Sequence, residues 1–407
     1  MKILFIAHYF HPEPNFFIGL PFARELSRQG HDVQVLTGFP NYPEGKIYDR
    51  YKGKILYKEV VEGIPITRLP IYPSHNYSSI KRMLSYTSLS LTQAAIGPFV
   101  VKKADVAFVS QGPATIGLPS ITHKCFRKIP FVFNIQDLWP DTLLSTGMFN
   151  SSKGLKLVDW WCRYVYKKAA KIVVIAPGMK KALIERGVPE DKVDVIYNWC
   201  DDTIVNCRAG SNSLKRELRL EGKFNIMFAG NMGKAQALDS VMKAASMLKE
   251  RYRQVQFVMI GSGVEVDHLR GLAKELKLTN VIFHGQKPFT EIGSILKLAD
   301  GLLVHLRDDP LFSITIPSKT QAYLAIGRPI IIGVKGDASN IIEQANAGFV
   351  CEPENPESIA QAIVNLLQMP AGQREIMGSN ARDYYGKHMS FQTATKKYIE
   401  VFERAII

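Results

Sequence analysis

Residues 316–321, IPSKTQ, set a hydroxyl, an ammonium and an amide close together with no carboxylate among them. Ser318 and Gln321 have capping-box spacing, which predicts a helix starting near Lys319. A helix dipole disfavours a cation at that end. The N–H groups of Lys319, Thr320 and Gln321 are expected to lack intrahelical acceptors. A phosphate placed there gains those donors, the dipole and the ammonium together. A plain capped helix with a solvated lysine is the alternative. A second turn, MFAGNMGKAQAL (227–238), puts Gly230, Asn231, Gly233, Lys234 and Gln236 between a strand and a helix. Glycine lets backbone approach a ligand closely. Two lysine-bearing turns in one half of the chain, with Arg307 just upstream of the first, predict a diphosphate ligand. Neither turn is the G-x-x-x-x-G-K-[ST] loop, and GSGVEVDHLRG (261–271) lacks the third glycine of a dinucleotide fingerprint.

The other half carries a different chemistry. HYFHPEP (8–14), TGFPNYPEG (37–45) and NIQDLWPDTL (134–143) each follow an apolar run and are dense in polar and aromatic residues. They are expected to meet at one sheet edge. Asp137 is the best-placed carboxylate there for handling a hydroxyl group, unless it caps the following turn. His8 and His11 are either ligand-facing or ordinary loop residues.

Along the 407 residues, apolar strands are expected at 2–7, 31–37, 104–110, 130–135, 171–176, 224–231, 255–263, 281–285, 301–306 and 329–334. Helical patterns lie between them, the first over about 16–29 and closing at Gly30. Such alternation builds parallel doubly wound sheets. The polar stretch 205–218 reads as an interdomain linker. The expected architecture is α/β, with two Rossmann-like domains facing across a cleft: 1–200, and 211–385 for the second.

A net charge of +14 and a pI of about 9.4 call for an anionic partner: nucleic acid, a lipid surface or a phosphorylated substrate. Nucleic acid is disfavoured, because no basic stripe interleaved with stacking aromatics or known binding module is present. The uncharged run 83–101 carries Ser, Thr, Gln93 and Pro98 and falls short of a good membrane span. Within 151–171, Leu155, Val158, Trp161, Cys162 and Val165 recur at helical spacing beside Lys156, Arg163, Lys167 and Lys168. Either this stretch or 83–101 could dock on an anionic membrane surface, the alternative being an ordinary amphipathic core helix. Five scattered cysteines without CxxC or Cys/His spacing predict a reducing compartment and no structural zinc. The first residues start a strand too directly for a signal peptide. The expected location is cytoplasmic, peripheral on the inner face of the plasma membrane.

The blocks RQGHDVQVLTGFPNYPEGKIYDRY, QDLWPDTL, VIYNWCDD, FAGNMGKAQALDSV, VIFHGQKP and PSKTQAYLAIGRPII, in this order, resemble the family 4 glycosyltransferases of the GT-B fold over essentially the whole chain. The chain is similar in particular to the L-fucosamine transferases of bacterial O-antigen and capsule assembly. The resemblance implies a retaining transfer of a sugar from a UDP-linked donor, without a required metal, to an undecaprenyl-diphosphate-linked acceptor. It implies a nucleotide in the second domain and a last helix, about 386–407, crossing back to the first. Where most members carry two glutamates, this chain has Ile314 and Ala322. The usual arginine and lysine of the first phosphate loop fall on Asn231 and Gln236, and a usual histidine on Gln136. The diphosphate is then expected to rest on Lys319, Lys234 and the 318–321 helix tip, including Ser318. Backbone around Gly285 to Lys287 is expected to read the base, Gly19 to admit the donor phosphates, and Asp137 with His8 to orient the acceptor hydroxyl. A UDP-sugar 2-epimerase shares the architecture and is the alternative enzyme. It needs paired carboxylates around the sugar, in which these loops are poor.

Overall fold

Runs of β-branched and aromatic residues closed by polar or glycine-bearing loops form the strands of both halves. The structure, a computed structural model, describes residues 1–13, 18–74, 79–145 and 151–407. The chain divides into two units, Met1–Tyr197 with Ala394–Ile407, and Asn198–Thr393.

In the first unit the strands are β1 (Lys2–Ala7), β2 (Asp32–Gly38), β3 (Tyr57–Val61), β4 (Ile64–Leu69), β5 (Val106–Ser110), β6 (Phe131–Ile135), β7 (Lys171–Val174) and β8 (Val193–Val195). Their order is β3-β4-β2-β1-β5-β6-β7-β8, and only β3, joined to β4, runs antiparallel. Glu62 and Gly63, both at positive φ, form the two-residue turn between them. The second unit holds β9 (Phe224–Ala229), β10 (Val255–Ile260), β11 (Val281–His284), β12 (Gly301–His305), β13 (Ile330–Gly333) and β14 (Gly348–Val350). Its order is β11-β10-β9-β12-β13-β14, all parallel. Each sheet reverses direction once, at β1/β5 and at β9/β12. Ligands of such sheets bind beyond the carboxyl ends of the strands at that reversal.

The two reversals are built differently. β1 and β5 stay paired from Ile3–Val106 to Ala7–Ser110. β9 and β12 pair only at Ile226–Gly301 and Met227–Leu302, so the carboxyl end of β9 is left without that ladder.

Four strands, β3, β4, β8 and β14, are absent from the sequence expectations. The first helix is Leu20–Arg28 rather than about 16–29, because Gly19 is its N-cap and Pro21 lies in its first turn; residues 16 and 17 are outside the described residues. Its end matches expectation: Gly30 takes φ 89°, its N–H bonds Ser27 O and the His31 N–H bonds Leu26 O. The stretch 205–218, expected as a linker, contains the Ser211-capped helix Asn212–Glu217 and lies inside the second unit. The last helix, Phe391–Ile406, brings Tyr398 against Phe22 and Phe108, with ring centroids 5.1 and 5.3 Å apart. The Tyr398 hydroxyl accepts from Asn134 Nδ2 at 2.9 Å. No helix among the described residues is long and apolar enough to cross a membrane.

Candidate functional site

At the open end of β9 the helix Ser318–Ile326 supplies what the missing ladder does not. Tyr323, fully buried, accepts the Ala229 N–H at 2.9 Å and lies 3.4 Å from its carbonyl. One turn earlier on the same face, Lys319 runs over Gly230. A Cβ on Gly230 would lie 2.7 Å from Lys319 Cε and 3.1 Å from Nζ. Gly230, at φ 136°, is therefore required both by its backbone and by the lysine lying on it. The Lys319 ammonium sits 4.9 Å from the centre of the Phe228 ring. No carboxylate pairs with it among the described residues, and burial pulls its pKa below the ordinary lysine value. A largely desolvated ammonium with no counterion is a place where an anion gains more than it would at the surface.

The helix tip departs from expectation. Pro317, with its fixed φ and no N–H, takes the N-cap position, so the helix starts at Ser318 and no capping box forms. Thr320 N–H bonds Pro317 O at 2.8 Å, so it is not one of the free donors expected there. With its amide nitrogen turned inward, buried Gln321 donates to Pro317 O and Ser318 O at 2.8 and 3.0 Å. Ser318 is exposed, and the buried Thr320 Oγ1 has no hydrogen-bond partner.

The loop after β9 is held from two sides. Gln236 Oε1 accepts the Gly233 N–H at 2.9 Å, which makes Gln236 a brace of the loop. His305, at the end of β12, meets Gln236 O through Nδ1 at 2.7 Å and accepts the Glu354 N–H at Nε2, 3.1 Å. These two bonds fix the neutral Nδ1–H tautomer, and burial lowers the pKa in the same sense. The Arg307 N–H adds a bond to Ala235 O at 2.9 Å. Beside this loop a cavity of 430 Å³ is lined by Lys234, Lys243, Arg307 and Glu354 among others. Asn231 and Lys234 are exposed, and Lys319 is not part of that lining. The structure thus joins Gly230 to Lys319, and places Lys234 and Arg307 on one cavity. Lys287 pairs with Glu217 at 3.2 Å, and open space surrounds Gly285.

Beyond the first sheet a buried histidine stands among aromatic rings, with a carboxyl nearby. His8, 4% exposed at the end of β1, has no partner for Nε2, and burial drives its pKa down to about 3. Its ring meets Tyr9 at 4.4 Å and Tyr86 at 5.2 Å. Asp137 is open to solvent, yet enough protein surrounds its carboxyl to push its pKa upward. Gln111, beyond β5, donates from Nε2 to Asp137 O at 3.3 Å. Gly19 is buried at its helix start. Among the described residues no group of three or more His, Cys, Asp or Glu side chains is arranged to hold a metal.

Sequence reasoning missed four positioning residues. Glu13 accepts the N–H groups of Phe10, Asn41 and Tyr42 at 3.3, 2.8 and 2.9 Å, tying the loop after β1 to the loop after β2. Fully buried Arg68 pairs with Glu59 at 2.5 Å and donates to Gly38 O and His11 O. Tyr323 and His305 are the other two. Of these only Tyr323 left a usable signal, its spacing of four from Lys319.

Residues 20–199 match the family described as Glycosyl transferase 4-like domain, and residues 211–384 match Glycosyl transferases group 1. The chain is 25% identical over 389 residues to the putative colanic acid biosynthesis glycosyl transferase WcaI of Escherichia coli K12, covering 92% of each chain. It is 24% identical to the probable glycosyltransferase WbjE of Pseudomonas aeruginosa, over 75% of this chain and 79% of that one. In fold it is similar to HepE of Anabaena in complex with UDP, with a TM-score of 0.71, 15% identity, and 99% and 100% of the two chains covered. With both halves matching glycosyltransferase domains in sequence and the whole chain matching in fold, the protein is a glycosyltransferase of the GT-B fold.

Proposed function

We propose that the enzyme transfers a sugar, of the N-acetylated amino sugar class, from a UDP-sugar to a saccharide carried on undecaprenyl diphosphate, with retention at the anomeric carbon. The acceptor oxygen forms the new bond to that carbon while the bond to the donor phosphate breaks, and the hydroxyl proton passes to the leaving phosphate oxygen. Negative charge then collects on the departing diphosphate. The observation that carries this reading is the desolvated Lys319 ammonium over Gly230, without a carboxylate partner among the described residues, at the sheet reversal. Groups aimed at developing charge are commonly the largest catalytic contribution. The similarity to HepE, whose structure contains UDP, supports a uridine donor. The similarity to a relative named for colanic acid biosynthesis supports a surface-polysaccharide product.

On the acceptor side, His8 and Asp137 orient the hydroxyl. Neutral His8 offers the unpartnered Nε2. A peripheral position on an anionic membrane fits the net charge of +14 and the helix Ser152–Lys168, where Leu157, Trp160 and Tyr164 are exposed near Lys153, Lys156 and Lys168.

A thermal-shift screen of UDP-, GDP- and ADP-linked sugars, followed by assay of UDP release, tests the reading. Stabilisation by the uridine series, with free UDP formed only when a lipid-linked acceptor is added, is the expected result. Stabilisation by another nucleotide series alone would overturn the donor assignment.

A further inference from the structure

Arg82 and Tyr86 lie one turn apart near the start of the helix Ser79–Val100. Tyr86 touches His8, His8 touches Tyr9, and Tyr9 leans on Tyr42 at 5.6 Å. The Arg82 charge acts on both the Tyr9 and Tyr86 phenols. Among the described residues, the polar atoms buried here without a hydrogen-bond partner include Arg82 Nε, Ser85 Oγ, His8 Nε2 and Gln111 Oε1. Leaving such an atom unsatisfied costs roughly 1–3 kcal/mol, more for a charged group. One orphan is tolerable, but four along one sheet edge indicate groups awaiting a ligand. No carboxylate is paired with Arg82 among the described residues. Glu13, which faces Tyr9, is committed to three backbone N–H groups and to the field of Arg68.

The geometry points to an anion-recognition subsite in the first unit, in which Arg82 binds a phosphate attached to the acceptor sugar. The Tyr9 and Tyr86 rings stack on the sugar, and His8 Nε2 with Gln111 Oε1 meet its hydroxyls. This inference rests on the acceptor reading above and adds the residue that would hold the acceptor's phosphate.

The test is calorimetric titration of UDP-saturated enzyme with geranyl diphosphate, and in a second arm with inorganic diphosphate. Wild-type enzyme is expected to bind one equivalent of geranyl diphosphate beyond UDP. Arg82→Ala is expected to weaken that step roughly 10- to 100-fold, the loss of a charge-assisted contact. Arg82→Lys, as a check on folding and charge, is expected to keep part of the affinity. Tighter binding of the geranyl compound than of inorganic diphosphate assigns the site to a lipid-linked phosphate, and equal binding assigns it to a free one. Absence of a second site in wild-type enzyme, or equal binding by wild type and Arg82→Ala, would overturn the inference. UDP saturation is measured first in the same cell, so a failure of the donor reading appears there and is separate from a failure at Arg82.

Discussion

The two sheets share one strand order around their reversals, yet the chemistry placed there differs. At β9/β12 the ladder stops early, and a tyrosine and a lysine from one helix fill the opening. At β1/β5 the ladder runs to its end, and the edge carries neutral or aromatic groups: His8, Tyr9, Tyr86 and Gln111. A desolvated ammonium selects for concentrated negative charge. Unpartnered neutral acceptors beside rings select for hydroxyls and sugar faces. On the reading proposed above, one backbone plan serves the donor diphosphate in one unit and the acceptor in the other, and the side chains around each reversal decide which.

The largest effect that separates the two edges is expected at Lys319. Lys319→Ala should lower turnover roughly 100- to 1,000-fold, with the larger part in kcat, measured at saturating donor. Because burial lowers the Lys319 pKa, activity should fall on the alkaline side as pH rises through that lowered value and the ammonium is lost. Lys319→Arg, which stays charged, should flatten that limb of the pH profile. Gly230→Ala comes next: the added methyl displaces the ammonium, and a misplacement of about 1 Å costs on the order of 100-fold in rate. Normal turnover in the Gly230→Ala enzyme would mean that the glycine serves the backbone alone.

Smaller effects distinguish how the edges are held. Tyr323→Phe should cost about 1–3 kcal/mol in denaturant unfolding, because the Ala229 N–H loses its acceptor. At the other edge, His8 has a folded pKa of about 3 against an unfolded value near 6.5. Between these values the unfolded chain binds the extra proton, so stability falls as pH drops from about 6.5 toward 3. Acidification from pH 6.5 to 5 should remove about 2 kcal/mol through His8, and His8→Phe should lose that slope. Lys287→Ala should change stability by less than about 1 kcal/mol, since its pair with Glu217 lies at the surface.

Much of the fold was legible because strands β1, β2, β5–β7 and β9–β13 are short apolar runs between turn signals. β3 and β4 were not, since Tyr57–Val61 carries Lys58 and Glu59 and Ile64–Leu69 carries Pro65 and Arg68 within the strand. Their pattern makes sense only with the buried Arg68–Glu59 pair in place. Lys319 stood out as a cation at a helix start, and Gly230 as a glycine in a strand-to-helix turn. Their direct contact was not legible, because it depends on where β12 lets go of β9. Gln236 was singled out by position, but its Oε1 bond to the Gly233 N–H, which braces the loop, was not legible. Glu13, Arg68 and His305 act through backbone groups of distant segments, and no local pattern marks such partners.

The account rests on Lys319 receiving the donor diphosphate, and a crystal structure of the enzyme with UDP tests this most directly. The expected result is a phosphate oxygen roughly 2.7–3.2 Å from Lys319 Nζ, above Gly230. A well-ordered UDP whose phosphates rest on Lys234 and Arg307, with the Lys319 ammonium still unpaired, would contradict it.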